Sequence, residues 1–353
     1  MTPSIDRRQL LLAATAGLLL PGAGWSQTDR SARAARSSVG KPFQVYGITF
    51  RGMTEVERGF EEYFESRKLP VQITWRDLNR DASRMPTFLD EIRQTKPDLI
   101  YTWGTSVTLG VVGAHDAADP KPFINNIPVV FTLVAAPVLA KIVPQLESSG
   151  RNVTGVTHVA PTEAQVNAME QYRPLQTLGV LYTPTERNSV VILEELRRLG
   201  RERNFKLLER PFKLDAANKP TSEGASELVR ELKAAGAQWL YLPPDSFLGT
   251  LAEGVIIPTA MEQSLPTFAS TEQLMQAGAL TGLVSRYFSL GQYTAHKVEQ
   301  ILVGKQDPSK IPVDTLKRFS YQISMSAAQR LKLPPPMSML NFAELINTGT
   351  PGT

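Results

Sequence analysis

Residues 124–158 read INNIPVVFTLVAAPVLAKIVPQLESSGRNVTGVTH, and the fold is decided in this stretch. Pro128 opens an apolar run, Val129-Val130-Phe131, that stops at Thr132. A loop with Pro137 follows, then a stretch that reads as helical to about Glu147, a Ser-Ser-Gly turn, and a β-rich run from Asn152 to Thr157. The unit from Ile127 to Gly155 is therefore expected to be strand, loop, helix, strand. Its first strand ends among small and polar residues, Thr132, Val134 and Ala135, where a ligand can approach the backbone. Its second strand runs into VTHVAPTEAQV, which reads as passage from one domain to another.

The same rhythm extends in both directions. Upstream, FQVYGIT (43–49) predicts a first strand, and Val56, Phe60, Tyr63 and Phe64 fall at helical spacing. Val71, Ile73 and Trp75 alternate as a strand, and Pro86 suits the first turn of a helix carrying Phe88, Leu89 and Ile92. LIYTW (99–103) predicts a third strand, followed by a helix to about His115. Downstream, strands are expected at 177–182, 205–208, 239–242, 266–269, 279–284 and within 314–324, with helices at 162–173, 190–199, 222–235 and 290–303. Strands separated by helices of this length specify parallel sheets with helices on both faces. Two successive sets argue for an α/β protein of two similar lobes. The chain after Pro334 is Pro-rich and weakly patterned, and reads as a C-terminal tail, 334–353.

The N-terminus has a different character. Asp6-Arg7-Arg8-Gln9 precedes the apolar run LLLAATAGLLL (10–20), and Pro21 to Ser26 supplies a breaker and small residues. That is the order of an export signal over residues 1–26, and the run is too short to span a bilayer. The paired arginines fit a twin-arginine signal and equally an ordinary secretory one. Either route leads to the periplasm. Residues 27–41 are polar, rich in Ser, Ala and Arg, and expected to be a flexible leader.

The net charge of +4 is concentrated at this end. Residues 1–41 hold six of the 38 bases and two of the 34 acids, so 32 of each remain in the body. A neutral body without a basic run argues against nucleic acid. The absence of cysteine excludes disulfides, thiol catalysis and thiolate metal sites. The three histidines, His115, His158 and His296, are far apart and not in paired ligand spacing. No GxSxG, HExxH or P-loop is present, and nothing calls for a cofactor or metal.

What recurs is a cluster of small or polar residues at the C-terminal end of strand after strand. These are Thr49-Phe50-Arg51, Trp103-Gly104-Thr105-Ser106, the segment after Thr132, Tyr182 and Pro184 to Asn188-Ser189, Asp245-Ser246, and Thr271-Glu272. In open α/β sheets ligands bind at those ends, and hydroxyls and amides at helix starts suit an anionic group. Helix capping alone also wants Ser, Thr, Asp and Asn there. Six clusters facing one cleft favour a binding site lined by both lobes. Phe50, Trp103, Phe131, Tyr182 and Tyr287 are candidates for an apolar wall, and Arg51 and Arg187 are candidates for holding a carboxylate.

These residues resemble the substrate-binding components of the tryptophan-type and uncharacterised ABC transporters. The run IPVVFTLVAAPVLAKIVPQLESSGRNVTGVT is similar to that family's proline-led strand, TDPV-like loop and GxNVTGV strand. Tyr101 to Thr105, YTPTERNSV, Asp245-Ser246, PTFAS, and Tyr287 followed by Leu290-Gly291 continue the match over about Lys41 to Leu333. The resemblance implies a type I periplasmic-binding fold whose lobes are Rossmann-like and joined by three crossings near Thr157, Leu280 and Ile311. Lobe one would be 42–157 plus 281–311, and lobe two 158–280 plus 312–333. It implies a monomeric receptor that closes by hinge motion on a small ligand, an amino acid or an aromatic or apolar carboxylate, and delivers it to an ABC permease. The chain departs from the pattern where the loop Asp is replaced by Leu133-Val134-Ala135-Ala136, and where the usual Gln after the first strand gives way to Thr49-Phe50-Arg51. Glu272 stands one place late for the acidic residue after the FAS strand. Two other readings stay open: a ligand-sensing partner of a membrane signalling protein, and an exported α/β hydrolase, which needs a nucleophile–base pair not apparent in the sequence. A sugar-type transcription regulator would need a DNA-binding helix pair where the signal lies.

Overall fold

The computed structural model describes residues 41–347. The expected export signal, and the leader apart from Lys41, lie outside the described residues. The first lobe runs β1 (Phe43–Thr49), α1 (Glu55–Ser66), β2 (Val71–Asp77), α2 (Met85–Thr95), β3 (Leu99–Trp103), α3 (Gly104–Val112), β4 (Val129–Thr132) and β5 (Val153–Gly155). Its five strands pair in the order β2-β1-β3-β4-β5, all parallel. Central strands such as β3, LIYTW, are buried on both faces, as a parallel sheet covered by helices requires.

The second lobe continues with α4 (Thr162–Tyr172), β6 (Thr177–Tyr182), α5 (Arg187–Arg203), β7 (Lys206–Pro211), α6 (Ala225–Ala234), β8 (Trp239–Leu242), α7 (Ser246–Leu251), α8 (Ile257–Glu262), β9 (Thr267–Ala269), α9 (Glu272–Gln276) and β10 (Thr281–Val284). Helix α10 (Tyr287–Leu302) then returns to the first lobe, and β11 (Ser320–Ser324), α11 (Met325–Arg330) and β12 (Glu344–Ile346) complete the second. The second sheet has seven strands in the order β12-β11-β10-β9-β8-β6-β7, parallel except for β10 against β11. These are the two Rossmann-like lobes and three crossings of a type I periplasmic-binding fold. No helix among the described residues is long and apolar enough to cross a membrane.

Helix α10 seals one face of the first sheet by lying directly on α1. A Cβ on Gly291 would stand 1.9 Å from the Val56 carbonyl oxygen, and one on Gly59 would stand 2.1 Å from that of Phe288, so only glycine allows the two backbones this close. The crossings are tied together beside it. Val156 bridges Asp314, and Val159 bridges Val284. The buried Lys297 of α10 reaches Asp314 at 2.7 Å and donates to the Pro312 carbonyl at 2.6 Å.

Four expectations change. Residues 138–147 form no helix. Pro137 and Pro144 interrupt the backbone donors, and Leu133 and Lys141 take left-handed φ values of 54° and 61°, leaving one isolated turn. Arg151 holds that loop by donating to the carbonyls of Ile142 and Gly113, at 3.1 and 3.0 Å, and to that of Val112, where α3 ends. Strand β10 belongs to the second sheet rather than to 281–311 of the first, because it pairs with β9 and β11. The second crossing therefore falls at residues 285–286, not Leu280. The tail is not separate either: β12 pairs in parallel with β11, and Met339 is buried in the second lobe's core. Finally, α7 passes through a π-helical turn, Ala252–Ile256, into α8, where the sequence reading placed no helix.

Candidate functional site

A cleft lies between the C-terminal ends of the two sheets, with about 50 Å³ of room for water-sized occupants and about 480 Å³ of empty space when the solvent at its mouth is counted. Of the sequence candidates, Arg51, Trp103, Gly104, Thr105, Ala135, Asn188, Asp245, Ser246, Thr271 and Tyr287 line it. The structure adds Leu133, His158, Pro243, Pro244, Gly249, Gln273 and Leu274.

The first-lobe wall is built from the ends of β1 and β3. The Arg51 guanidinium lies over the Trp103 ring, 4.8 Å from its centroid, and Phe50 stacks on the same ring at 6.2 Å. Arg51 reaches across the cleft to donate to Gln273 Oε1, and the Gln273 amide donates to the Gly249 carbonyl at 3.2 Å. Burial pushes the Arg51 guanidinium below its ordinary value, so a charge is held in a site with little water. Helix α3 begins at Gly104, with φ 80°, and no side chain caps it. Its first amides point out of the helix start without intrahelical partners, a favourable place for an anion. The indole Nε1 of Trp103 is buried and has no hydrogen-bond partner among the described residues.

The second-lobe wall is arranged differently. Asp245 caps α7 and accepts four hydrogen bonds: from Thr183 Oγ1 (2.9 Å) and the Leu248 amide (2.8 Å) on one oxygen, and from the Thr183 amide (2.7 Å) and Ser189 Oγ (2.6 Å) on the other. A carboxylate offers about four acceptor positions, so this one is fully engaged within the protein. Glu186 accepts from the Ser246 and Phe247 amides at 2.8 and 2.9 Å, which completes the capping of the same helix. Burial, then the nearby Asp245 charge, raises its carboxyl to about 7. Asn188 donates to the Pro244 carbonyl.

The remaining candidates do not reach the cleft. Thr49 donates to Asp77 Oδ1 at 2.9 Å, tying the ends of β1 and β2. Phe50 backs Trp103 and packs into the first lobe's core. Ser106 is exposed on the flank of α3, and Pro184 on its turn. Thr132 is buried against Thr294 of α10, and Val134 is a core residue. Tyr182 packs against the second lobe's core, and Ser189 serves Asp245. Glu272 faces the start of α10, where it accepts from the Tyr287 amide at 2.6 Å and pairs with Arg286 at 3.4 Å. Arg187 donates to the Ala140 carbonyl at 3.2 Å rather than entering the cleft. Phe131 is a core residue.

His158 sits on the first crossing, 95% buried, and its Nδ1 has no hydrogen-bond partner among the described residues. Burial, and secondarily the Arg51 charge, push it down to about 3, so it is neutral at any ordinary pH. No group of three or more His, Asp or Glu among the described residues is placed to hold a metal.

A two-lobed α/β protein with polar groups converging on an interlobe cleft is a type I periplasmic-binding protein by architecture. The chain belongs to the family described as ABC transporter substrate binding protein, whose model matches residues 56–345. A curated relative, the tyrosine-binding protein of Clostridioides difficile, is 23% identical over 334 residues, 92% of this chain and 91% of its own. Among solved structures, a conserved domain protein from Vibrio cholerae matches with a TM-score of 0.75 and 23% identity, over 86% of this chain and 99% of that one. An ABC domain in complex with L-Trp, from Streptococcus pneumonia, matches with a TM-score of 0.71 and 20% identity, over 85% and 99%.

Proposed function

We propose that this protein is the exported, monomeric receptor of an ABC importer, and that its lobes close on a small carboxylate with an apolar or aromatic body. The observation that carries the reading is the pairing of donors that keep hydrogens to spare with a committed acid. Arg51, Trp103 and the uncapped start of α3 line one cleft, and the buried Trp103 Nε1 has no partner among the described residues. The one carboxylate lining it, Asp245, has its acceptor positions filled by the protein. A ligand carboxylate is thus provided for, and a ligand ammonium is not. Trp103, Tyr287, Leu133 and Leu274 supply the apolar surroundings. The relatives named for tyrosine and solved with L-Trp support the carboxylate and the aromatic body alike, since both ligands have them. The sites on Glu272 and Asp245 that would favour an amine are engaged elsewhere.

Calorimetric titration with tryptophan and with its deaminated analogue, indole-3-propionate, tests this. Comparable or tighter binding of the analogue is the expected result. Tight binding of the amino acid that disappears in the analogue overturns the reading. Scattering with and without saturating ligand tests closure, and identical compactness in both states rules out the hinge.

A further inference from the structure

We infer that His158 reads the substituent next to the ligand's carboxylate, and that it selects a neutral hydroxyl there, so that the preferred ligand is a 2-hydroxy acid with an apolar or aromatic body. The inference rests on the proposed carboxylate site. The imidazole lines the cleft and is 95% buried, and its Nδ1 has no partner among the described residues. A buried polar atom left unsatisfied is costly, and a ligand group that meets it recovers that cost on binding. The ring is held in place by the edge of Tyr287, with centroids 6.5 Å apart. It shares the cleft lining with Arg51. Within that one cleft, we place the carbon next to a carboxylate gripped by Arg51 on the His158 side.

A hydroxyl on that carbon satisfies Nδ1 in either tautomer, by donating to it or accepting from it. An ammonium in the same place can only donate, and it stands beside the Arg51 cation with no uncommitted carboxylate in the lining to offset the repulsion. A plain methylene leaves Nδ1 as it is.

Three acids with one skeleton separate these cases: 3-phenylpropanoate, 3-phenyllactate and phenylalanine, which carry hydrogen, hydroxyl and ammonium at the same carbon. Calorimetry on the mature chain is expected to rank phenyllactate tightest, by about tenfold over either of the others. In His158→Phe that advantage is expected to vanish while phenylpropanoate binding persists, which also shows that the variant is folded. In His158→Asp the order is expected to shift toward phenylalanine, because a carboxylate now faces the ammonium. Equal binding of phenyllactate and phenylpropanoate by the wild type, or an advantage that survives in His158→Phe, overturns this inference and leaves the carboxylate site standing. Binding of neither amine-free acid overturns the carboxylate reading, and this inference with it.

Discussion

The two walls of the cleft are made from equivalent strand ends yet hold their polar groups in opposite states. On the second-lobe side, Asp245, Thr183, Ser189 and Glu186 satisfy one another and the start of α7. On the first-lobe side Trp103 Nε1 has no partner among the described residues and α3 starts uncapped, and at the adjoining first crossing His158 Nδ1 is likewise unpartnered. A closed network gives rigidity, and open valences give recognition. One wall therefore behaves as scaffold and the other as reader, and substitutions in the two should fail in different ways.

The largest effect is expected at the scaffold. Asp245→Ala strands the Thr183 and Leu248 amides, and should lower unfolding free energy by about 3 kcal/mol or more in urea denaturation. Asp245→Asn should do nearly as much harm, since its amide nitrogen presents a donor where donors already point. A small stability loss in both variants would dissolve the distinction between the walls. Next comes the reader. Arg51→Ala should weaken 3-phenylpropanoate binding by about thirtyfold to a hundredfold with little change in stability, as befits a charge-assisted contact. Arg51→Lys should recover only part, because the ammonium lacks the guanidinium fork and its fit over Trp103.

A subtler effect follows from Glu186. Its folded carboxyl is raised from 4.5 to about 7, so the unfolded chain releases this proton first as pH climbs. The corresponding stability is fully present below about pH 4.5 and is lost by the time pH has risen through about 7. Glu186→Gln cannot titrate, and should flatten the difference in melting temperature between about pH 5 and about pH 8 relative to wild type. The smallest change is expected from Arg187→Ala, which removes one hydrogen bond at the cleft's edge, to Ala140. Its ligand affinity should move by less than about threefold, checked by the same calorimetry.

Much of the fold was legible because strands such as β3, β4 and β8 are buried on both faces and so appear as unbroken apolar runs. Helices α1 and α10 announced themselves by spacing. Two of the misreadings, at β10 and β12, have one cause: strand pairing decided by partners distant in sequence. The 138–147 segment has an apolar pattern that suits a helix, but its shape is set by Pro137 and Pro144 and by Arg151, which donates to the Ile142 carbonyl inside it and to those of Val112 and Gly113 at the end of α3. Gly249, Gly254 and Pro258 hid the α7–α8 helix, which keeps going by inserting a π-turn. In the site, strand-end clusters identified Arg51, Trp103 and Asp245 as a group. They could not tell which polar residues were engaged, because Asp245's partners Thr183 and Ser189 lie 62 and 56 residues away. Gln273 and His158 carried no local signal; each matters through a neighbour that only the folded chain provides.

The return of α10 to the first lobe also governs the order in which the chain can assemble as it is made. When residue 157 has left the ribosome, every strand of the first sheet exists, but Val56, Phe60 and Tyr101 still lack the helix that shields them. That cover arrives only with residues 287–302, and the second sheet waits longer, for 320–324 and 344–346. Both lobes thus mature within the last stretch of synthesis, and through most of it the nascent chain presents a sticky face to whatever holds it. A product cut short before Leu302 lacks part of the helix that covers the first sheet and both late strands of the second, so neither lobe has its full set of elements until nearly the whole message has been read.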